Sequence, residues 1–600
     1  MAPRNRQVKA GLFLGAFFVP GEAQLPGEQA DVFGMGQLHL LPRRRIGFVV
    51  VVVALFTSSC SLFGSDAPSS GKVSGLGPVP VESGMPDTPE PKRGGQLVYG
   101  LEAETNGGFC LPEAQLAASG LEVVRALYDP LAVPDAQGDY APYLAKSIDH
   151  DATFKTWTIT LRANVTFHDG SKLDATVVKN NLDAYRGAYP ARSPLLFSFV
   201  FKNIAAVSVV NEFTVEVTTK TPWVAFPAAL YSSGRMVIVA QAQLDASTED
   251  CETKPIGTGP FSFVSWSRNQ SLKTKRNPTY WQQAPDGKSY PYLDAVDFRP
   301  MPNSDARLSA LQEGELNMLH TSTAADMAEN LRQLQDDGAI NLLISEERTE
   351  TSYLMLNVKN KQLASRDVRL ALAHAIDRVA LNEQSNKGFA TVADQPFAPA
   401  VLGHLAKPGA PAFDLPAAKK TVAAMKAAGR STTFRLLTAT GPASVRTAVL
   451  AKNMLEKAGF TIVLEAESEA AVIDRAINGD FDIASFRNQP GDDPDSNYNW
   501  WYGKGNLVNF GRFNDPVINA NLEKGRVSSD RETRKAAYEA VNRQFAKESW
   551  NLYLWFAPWA VAEASNVHGI LGPPLPDSGG PAPARIVTGH PLHGIWIERG

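Results

Sequence analysis

Residues 141–185 read APYLAKSIDHDATFKTWTITLRANVTFHDGSKLDATVVKNNLDAY. Between Lys155 and Arg162 apolar residues and threonines alternate. Trp157, Ile159 and Leu161 therefore face one way and the threonines the other, the period of a half-buried strand. Asn164–Gly170 continues as an extended arm that ends in an Asp-Gly turn. Asp174 has the side chain of a helix N-cap, and behind it Val178, Leu182 and Tyr185 mark the buried stripe of a helix. A strand, a turn and a helix in one run predict a mixed α/β chain.

The same alternation of elements extends outward. Gly95–Gly100 is a short strand leading into the glycine-bearing loop NGGFC, Asn106–Cys110, and Leu121–Tyr128 repeats apolar residues at helical spacing. Phe213–Val217 alternates again. Gly257 and Gly259 in PIGTGPF permit a close backbone approach before a strand. Arg276–Trp281, RNPTYW, reads as a strand end turning into a loop, because Pro278 cannot donate to a ladder. From Arg366 to Leu381, Val368, Leu372, Ile376 and Val379 share one helical face, with Arg369, Asp377 and Arg378 on a solvated one. Lys452–Gly459 is a helix closed by glycine and followed by the strand Phe460–Leu464, an order suited to an α/β lobe.

Six of these stretches carry a resemblance. The 141–185 run, Pro255–Phe261, Arg276–Trp281, Pro291–Phe298 (PYLDAVDF), Thr351–Asn357 (TSYLMLN) and Arg366–Arg378 (RDVRLALAHAIDR) stand in the order seen in the oligopeptide-, dipeptide- and nickel-binding proteins of ABC importers, the family 5 extracellular solute-binding proteins. The resemblance covers nearly all of residues 95–570. It implies an α/β fold of the periplasmic-binding-protein-like type II, three-lobed, with discontinuous lobes and a hinge. Lobe I would take about 95–139, 251–344 and 501–600, lobe II about 140–250, and lobe III about 345–500. A small solute, a short peptide foremost, would sit between lobes I and III and be delivered to a membrane permease. The alternatives are a metal chelate as ligand, or a degenerate cleft on a lipid-anchored regulatory or envelope-assembly protein.

The resemblance also implies a site. Phe486–Tyr502, FRNQPGDDPDSNYNWWY, is similar to the family's W-x-x-D-x-x-D-P, whose first Asp holds the α-ammonium of a peptide. Here Pro490 stands at that position. Asp492 or Asp493 substitutes for it, or both cap a turn. Tyr498, Trp500, Trp501 and Tyr502 line a pocket or pack in a core, and Arg487 meets a ligand carboxylate or forms an ion pair. Tyr353, and Asn106 and Phe109 in the loop after the first strand, are placed with them at the cleft. Cys110 and Cys251 form a disulfide between two lobe-crossing segments, or remain two thiols.

Upstream, Arg43–Cys60 reads RRRIGFVVVVVALFTSSC. The apolar run from Ile46 to Phe56 falls short of the roughly 20 residues a spanning helix needs. Basic residues, an apolar run and small residues have the layout of a signal peptide, and the terminal Cys60 resembles a lipidation site, with Thr57 where Leu, Val or Ile is usual. A buried strand, an uncleaved anchor and a signal without lipid are the other readings. Residues 35–60 form a signal of normal size starting at Met35, so 1–34 read as a mis-assigned start or a disordered extension. Residues 61–94, rich in Gly, Pro and Ser, read as a flexible tether. The receptor is thus expected on the outer face of the bacterial cell membrane, or free if not lipidated.

Charge is nearly balanced, 58 Lys and Arg against 62 Asp and Glu, which argues against nucleic acid as a partner. GTGPF lacks the third glycine of a dinucleotide fingerprint and enters a strand, SSGKV lacks P-loop spacing, and no G-x-S-x-G occurs. The chain therefore reads as a non-enzyme, a monomer without cofactor, dependent on a separate ATPase. The nine histidines form no H-x-x-x-H with an acidic neighbour, so no metal site is expected.

Overall fold

The computed structural model describes residues 90–599, apart from 106, 195, 346–348, 489–490 and 581–588. The expected signal, the lipidation site Cys60, most of the tether and Asn106 lie outside the described residues. The described chain is built on three main sheets. A seven-stranded sheet runs in the order Ile340–Ser345, Trp559–Ala564, Met318–Thr321, Gln96–Leu101, Ala295–Pro300, Ser271–Arg276, Phe261–Ser267. Its centre is parallel: Tyr99 stands opposite both Phe298 and Met318. A six-stranded sheet runs Thr391–Val392, Asn551–Phe556, Thr351–Leu356, Ile483–Asn488, Thr433–Ala439, Thr461–Glu467. The third, four-stranded and antiparallel, contains Ala145–His150, Thr156–Leu161, Thr214–Thr219 and Ile204–Asn211.

Local chemistry explains most of these elements. Thr156–Leu161 alternates strictly between half-buried threonines and the fully buried Trp157, Ile159 and Leu161. Asp174 caps the helix Ala175–Tyr185 by accepting from the Val177 N–H at 2.9 Å. Gly257 and Gly259 allow the close approach expected of them: a Cβ on Gly257 would lie 2.1 Å from the Leu127 carbonyl oxygen, and one on Gly259 2.4 Å from the Leu127 carbonyl carbon. His168 locks that approach, its backbone N–H donating to the Gly257 carbonyl at 2.9 Å.

Two expectations are corrected. The run from Arg366 is two helices, Arg366–Ala375 and Arg378–Asn386, because Ile376 is extended and Asp377 caps the second helix by accepting from the Ala380 N–H. The break turns Val379 outward, 63% exposed, instead of onto the apolar face. Arg369, expected on the solvated face, is buried because its guanidinium donates to the carbonyls of Leu363, Ala364 and Glu548 and lies 3.8 Å over the Trp550 ring.

The chain also returns to the seven-stranded sheet later than about residue 501. Helices Pro516–Val527 and Arg531–Glu548 precede the strand Asn551–Phe556, which pairs with Thr351–Leu356 inside the six-stranded sheet. Both strands are buried along their whole length, so neither can sit at an exposed edge. The return is made at Ala557 and Pro558, just before Trp559–Ala564 joins the other sheet. Glu350, just before the strand Thr351–Leu356, lies beside it: Ala557 N–H donates to the Glu350 carbonyl at 2.8 Å. This backbone hydrogen bond joins Glu350, at the start of a six-stranded-sheet strand, to the point where the chain passes into the seven-stranded sheet.

Candidate solute-binding cavity

Where the seven- and six-stranded sheets face each other lies a cavity of about 690 Å³, within the roughly 300–1,000 Å³ of small-molecule sites. Its walls come from strand ends, as open α/β sheets predict. Glu102 follows the strand Gln96–Leu101, Ser322 follows Met318–Thr321, Tyr353 lies in Thr351–Leu356, and Arg487 in Ile483–Asn488. Helix Glu469–Asn478 adds Glu469 from its first turn.

Arg487 is the centre of the charge arrangement. Its Nη1 donates to Ser322 Oγ at 2.7 Å, so a side chain of the six-stranded sheet bonds directly to the seven-stranded one. Its Nε stands 3.5 Å from Glu350 Oε2, and the guanidinium lies over the Trp559 ring at 5.3 Å. Trp559 Nε1 donates to the same Glu350 oxygen at 3.2 Å. Glu102 accepts from the Ser322 N–H at 2.6 Å and from Ser322 Oγ at 2.9 Å. Burial disfavours the charge of Glu102, but Arg307 and Arg487 outweigh it and hold the carboxyl below its ordinary range. Glu469 goes the other way: burial pushes it up, and Glu102 and Glu350 add to the rise against Arg487. Burial works against the Arg487 cation, yet the three carboxylates together hold its pKa above the ordinary value.

His320 positions Glu102. The Glu102 backbone N–H donates to His320 Nε2 at 3.1 Å, which makes Nε2 the acceptor and places the ring proton on Nδ1. The ring stacks on Trp559 at 5.5 Å, and burial lowers its pKa to about 4, so it stays neutral.

Of the residues singled out in the sequence, Tyr353, Arg487 and Trp500 line the cavity. The others are used elsewhere. Phe109 is fully buried against Trp266 at 5.3 Å. Asp493 caps the short turn Pro494–Asn497 and accepts from Arg534 Nη2 with both oxygens at 2.7 Å. Asp492 is half-buried off the cavity wall. Tyr498 stacks on Tyr502 at 4.6 Å beneath the Arg526 guanidinium, and Trp501 is buried against Phe397 and Phe545. Cys110 and Cys251 are joined as a disulfide that ties the loop after the first strand to the helix Thr248–Thr253.

Sequence reasoning missed Glu102, Glu350, Glu469, Asp495 and Asn499, all of which line the cavity. Asp495 is nearly inaccessible, paired with Arg526 at 2.9 Å through both Nε and Nη2, and accepts from Trp223 Nε1 at 2.8 Å. The one available signal was positional: Glu102 immediately follows a central parallel strand. Among the described residues, no three His, Cys, Asp or Glu side chains gather as a metal-holding group.

Residues 139–509 match the bacterial extracellular solute-binding proteins, family 5. The glutathione-binding protein GsiB of Salmonella paratyphi A is 34% identical over 249 residues, 41% of this chain and 45% of the relative. That of Pectobacterium atrosepticum is 30% identical over 275 residues, 46% and 51%. The chain thus spans about half the length of the curated relatives it matches. Among solved structures, AgaA of A. tumefaciens R10, in complex with agropinic acid, superposes with a TM-score of 0.72 at 25% identity, over 84% of this chain and 99% of its own. DppA of Helicobacter pylori, in complex with the peptide STSA, gives 0.74 at 23%, over 85% and 99%, a likeness of fold.

Proposed function

The chain belongs to the bacterial extracellular solute-binding proteins, family 5, and from that premise we propose that it captures a short peptide or peptide-like zwitterion between its two large sheets and hands it to the permease of an ABC importer. The observation that carries this reading is the charge of the cavity. Glu102, Glu350 and Glu469 gather around the Arg487 guanidinium, and Arg235, Arg307 and Arg446 stand on the same wall, so carboxylates and guanidiniums face one confined space. A zwitterion finds a partner there for its ammonium group and another for its carboxylate, where low dielectric strengthens the attraction. The glutathione-binding relatives and the peptide-bound neighbours are consistent with a solute of this kind.

For delivery we place the hinge at Glu350 and Ala557, where the chain passes between the two sheets. Closing the sheets on a solute changes few contacts there, so binding shifts the population toward the closed form without chemistry. The lobes proposed from the sequence keep this hinge, with the return passage moved to Ala557 and Pro558. We include in the proposal a lipid tether at Cys60 holding the receptor beside its permease, which palmitate labelling of wild type and Cys60→Ser checks.

A thermal-shift screen tests the reading with trialanine, reduced glutathione and nickel–histidine as probes. A peptide present at about 100 times its Kd stabilises the protein by about 2.7 kcal/mol. No shift with either peptide overturns the reading, and a shift with nickel–histidine alone replaces it by chelate uptake.

A further inference from the structure

Two side chains of the cavity wall, Ser485 and Asn499, have every polar atom buried and without a hydrogen-bond partner. Asn499 is the more demanding of the two. It is 2% exposed, and neither its Nδ2 nor its Oδ1 meets a protein group. Its neighbourhood is otherwise well satisfied: Asn506 Nδ2 donates to the Asn499 backbone carbonyl at 2.7 Å, and Asn488 Nδ2 donates to Asn497 Oδ1 at 3.1 Å. The adjoining Asp495 has three hydrogen bonds from Arg526 and one from Trp223. An apolar side chain would carry no such cost, because a buried amide lacking partners forfeits the hydrogen bonds it makes to water in the unfolded chain. The fold holds such an amide at the wall of this cavity, between Asp495 and Trp500, which line it too.

A carboxamide presents one donor group and one acceptor side by side. Its complement is another amide, whose C=O takes the Nδ2 proton and whose N–H is taken by Oδ1. We propose that Asn499 recognises a secondary amide of the solute, a peptide group in the first instance, and so separates peptides from amino-acid conjugates, sugars and chelates of similar size and charge. The inference rests on the functional reading above and narrows it. The charged groups around Arg487 select a zwitterion, and Asn499 selects what joins its ends. Trp500, whose ring meets Phe510 at 6.0 Å, supplies the apolar surface beside the amide.

The test is calorimetric titration of wild type, Asn499→Ala and Asn499→Leu with trialanine and with its depsipeptide analogue, in which an ester replaces the second peptide bond and removes one N–H. Wild type should prefer trialanine by about 10- to 100-fold, the cost of leaving Oδ1 unpaired on binding the ester. Both variants should bind trialanine weaker by a similar factor and lose the preference. Their melting temperatures without ligand should be unchanged or higher, since no native hydrogen bond is removed. Equal affinity of wild type for the two probes, or variants that keep the preference, overturns the inference and leaves the functional reading standing. Failure of wild type to bind trialanine or reduced glutathione overturns both.

Discussion

Glutamine in place of Glu563 isolates one buried charge and gives a stability change that depends only on pH. Glu563 lies in the strand Trp559–Ala564, opposite Met318 in one neighbour and Asn341 in the other. It is 2% exposed, and its one protein partner is Asn341 Nδ2, donating to Oε1 at 3.4 Å. Burial, partly offset by that hydrogen bond, raises its pKa from 4.5 to about 8. A raised folded-state pKa means that the native protein holds a proton the unfolded chain has released. The contribution is therefore complete below about pH 4.5 and is lost as pH rises through about 8, with a slope of about 1.4 kcal/mol per pH unit between. From about pH 6.5 to 8.5 the wild type should lose about 2 kcal/mol by this route. Glu563→Gln keeps an oxygen for Asn341 and cannot ionise, so it should lose none of it. Urea unfolding of both proteins at several pH values measures the difference, because every other titrating group is common to the pair. Parallel stability curves across that range would refute the assignment of a neutral carboxyl to this position.

The remaining predictions concern the cavity and its frame. Asp495→Asn leaves the buried Arg526 guanidinium without its counter-charge, and should cost about 3–5 kcal/mol of stability by thermal unfolding. A loss under about 1 kcal/mol would show that the pair is dispensable. Because the Glu469 carboxyl is raised above its ordinary range, binding of a peptide ammonium beside it should release protons, detected as a buffer-dependent heat in calorimetry. Affinity should accordingly weaken on acidification, and Glu469→Gln should abolish both effects. Gly259→Ala would drive a Cβ to within 2.6 Å of the backbone at Ala126 and Tyr128, atoms that cannot step aside, and should destabilise the fold by about 3 kcal/mol or more. Limited proteolysis near Leu127 would report it as faster cleavage.

How far the sequence speaks depends on how far apart the partners lie. Trp157, Ile159 and Leu161 declare their strand because alternation is written within six residues, and Asp174 declares its helix because the N–H it binds is three residues on. Arg369 misleads for the opposite reason. Its carbonyl partner at Glu548 lies 179 residues away, and no local pattern distinguishes it from a solvated arginine. The site follows the same rule. Tyr353 and Arg487 sit in strand motifs and were legible, whereas Glu102, Glu350 and Glu469 come from segments far apart in the chain that only the folded sheets bring together. The acid-rich and aromatic run from Asp492 to Tyr502 looked like the ligand contact because its chemistry is dense. Much of that chemistry is directed at the helices that follow: Arg534 and Arg526, 41 and 31 residues on, neutralise Asp493 and Asp495.

That redistribution bears on how a peptide would lie in the cavity. The family pattern that Phe486–Tyr502 resembles has an acid at the position of Pro490. Of the acids near it in sequence, Asp493 and Asp495 each face a guanidinium at hydrogen-bonding distance, so neither has charge to spare for a ligand, and Asp492 lies off the cavity wall. Other carboxylates stand at the ends of the central strands, around Arg487, which itself bridges the two sheets through Ser322. An ammonium drawn to Glu469 would therefore sit beside the bond that holds the sheets together. Competition for Glu102 and Glu350 would then tie solute charge to closure. A cation at that point screens the mutual repulsion of the three carboxylates. On the proposed function, selection for an ammonium group and closure of the sheets would draw on the same three residues.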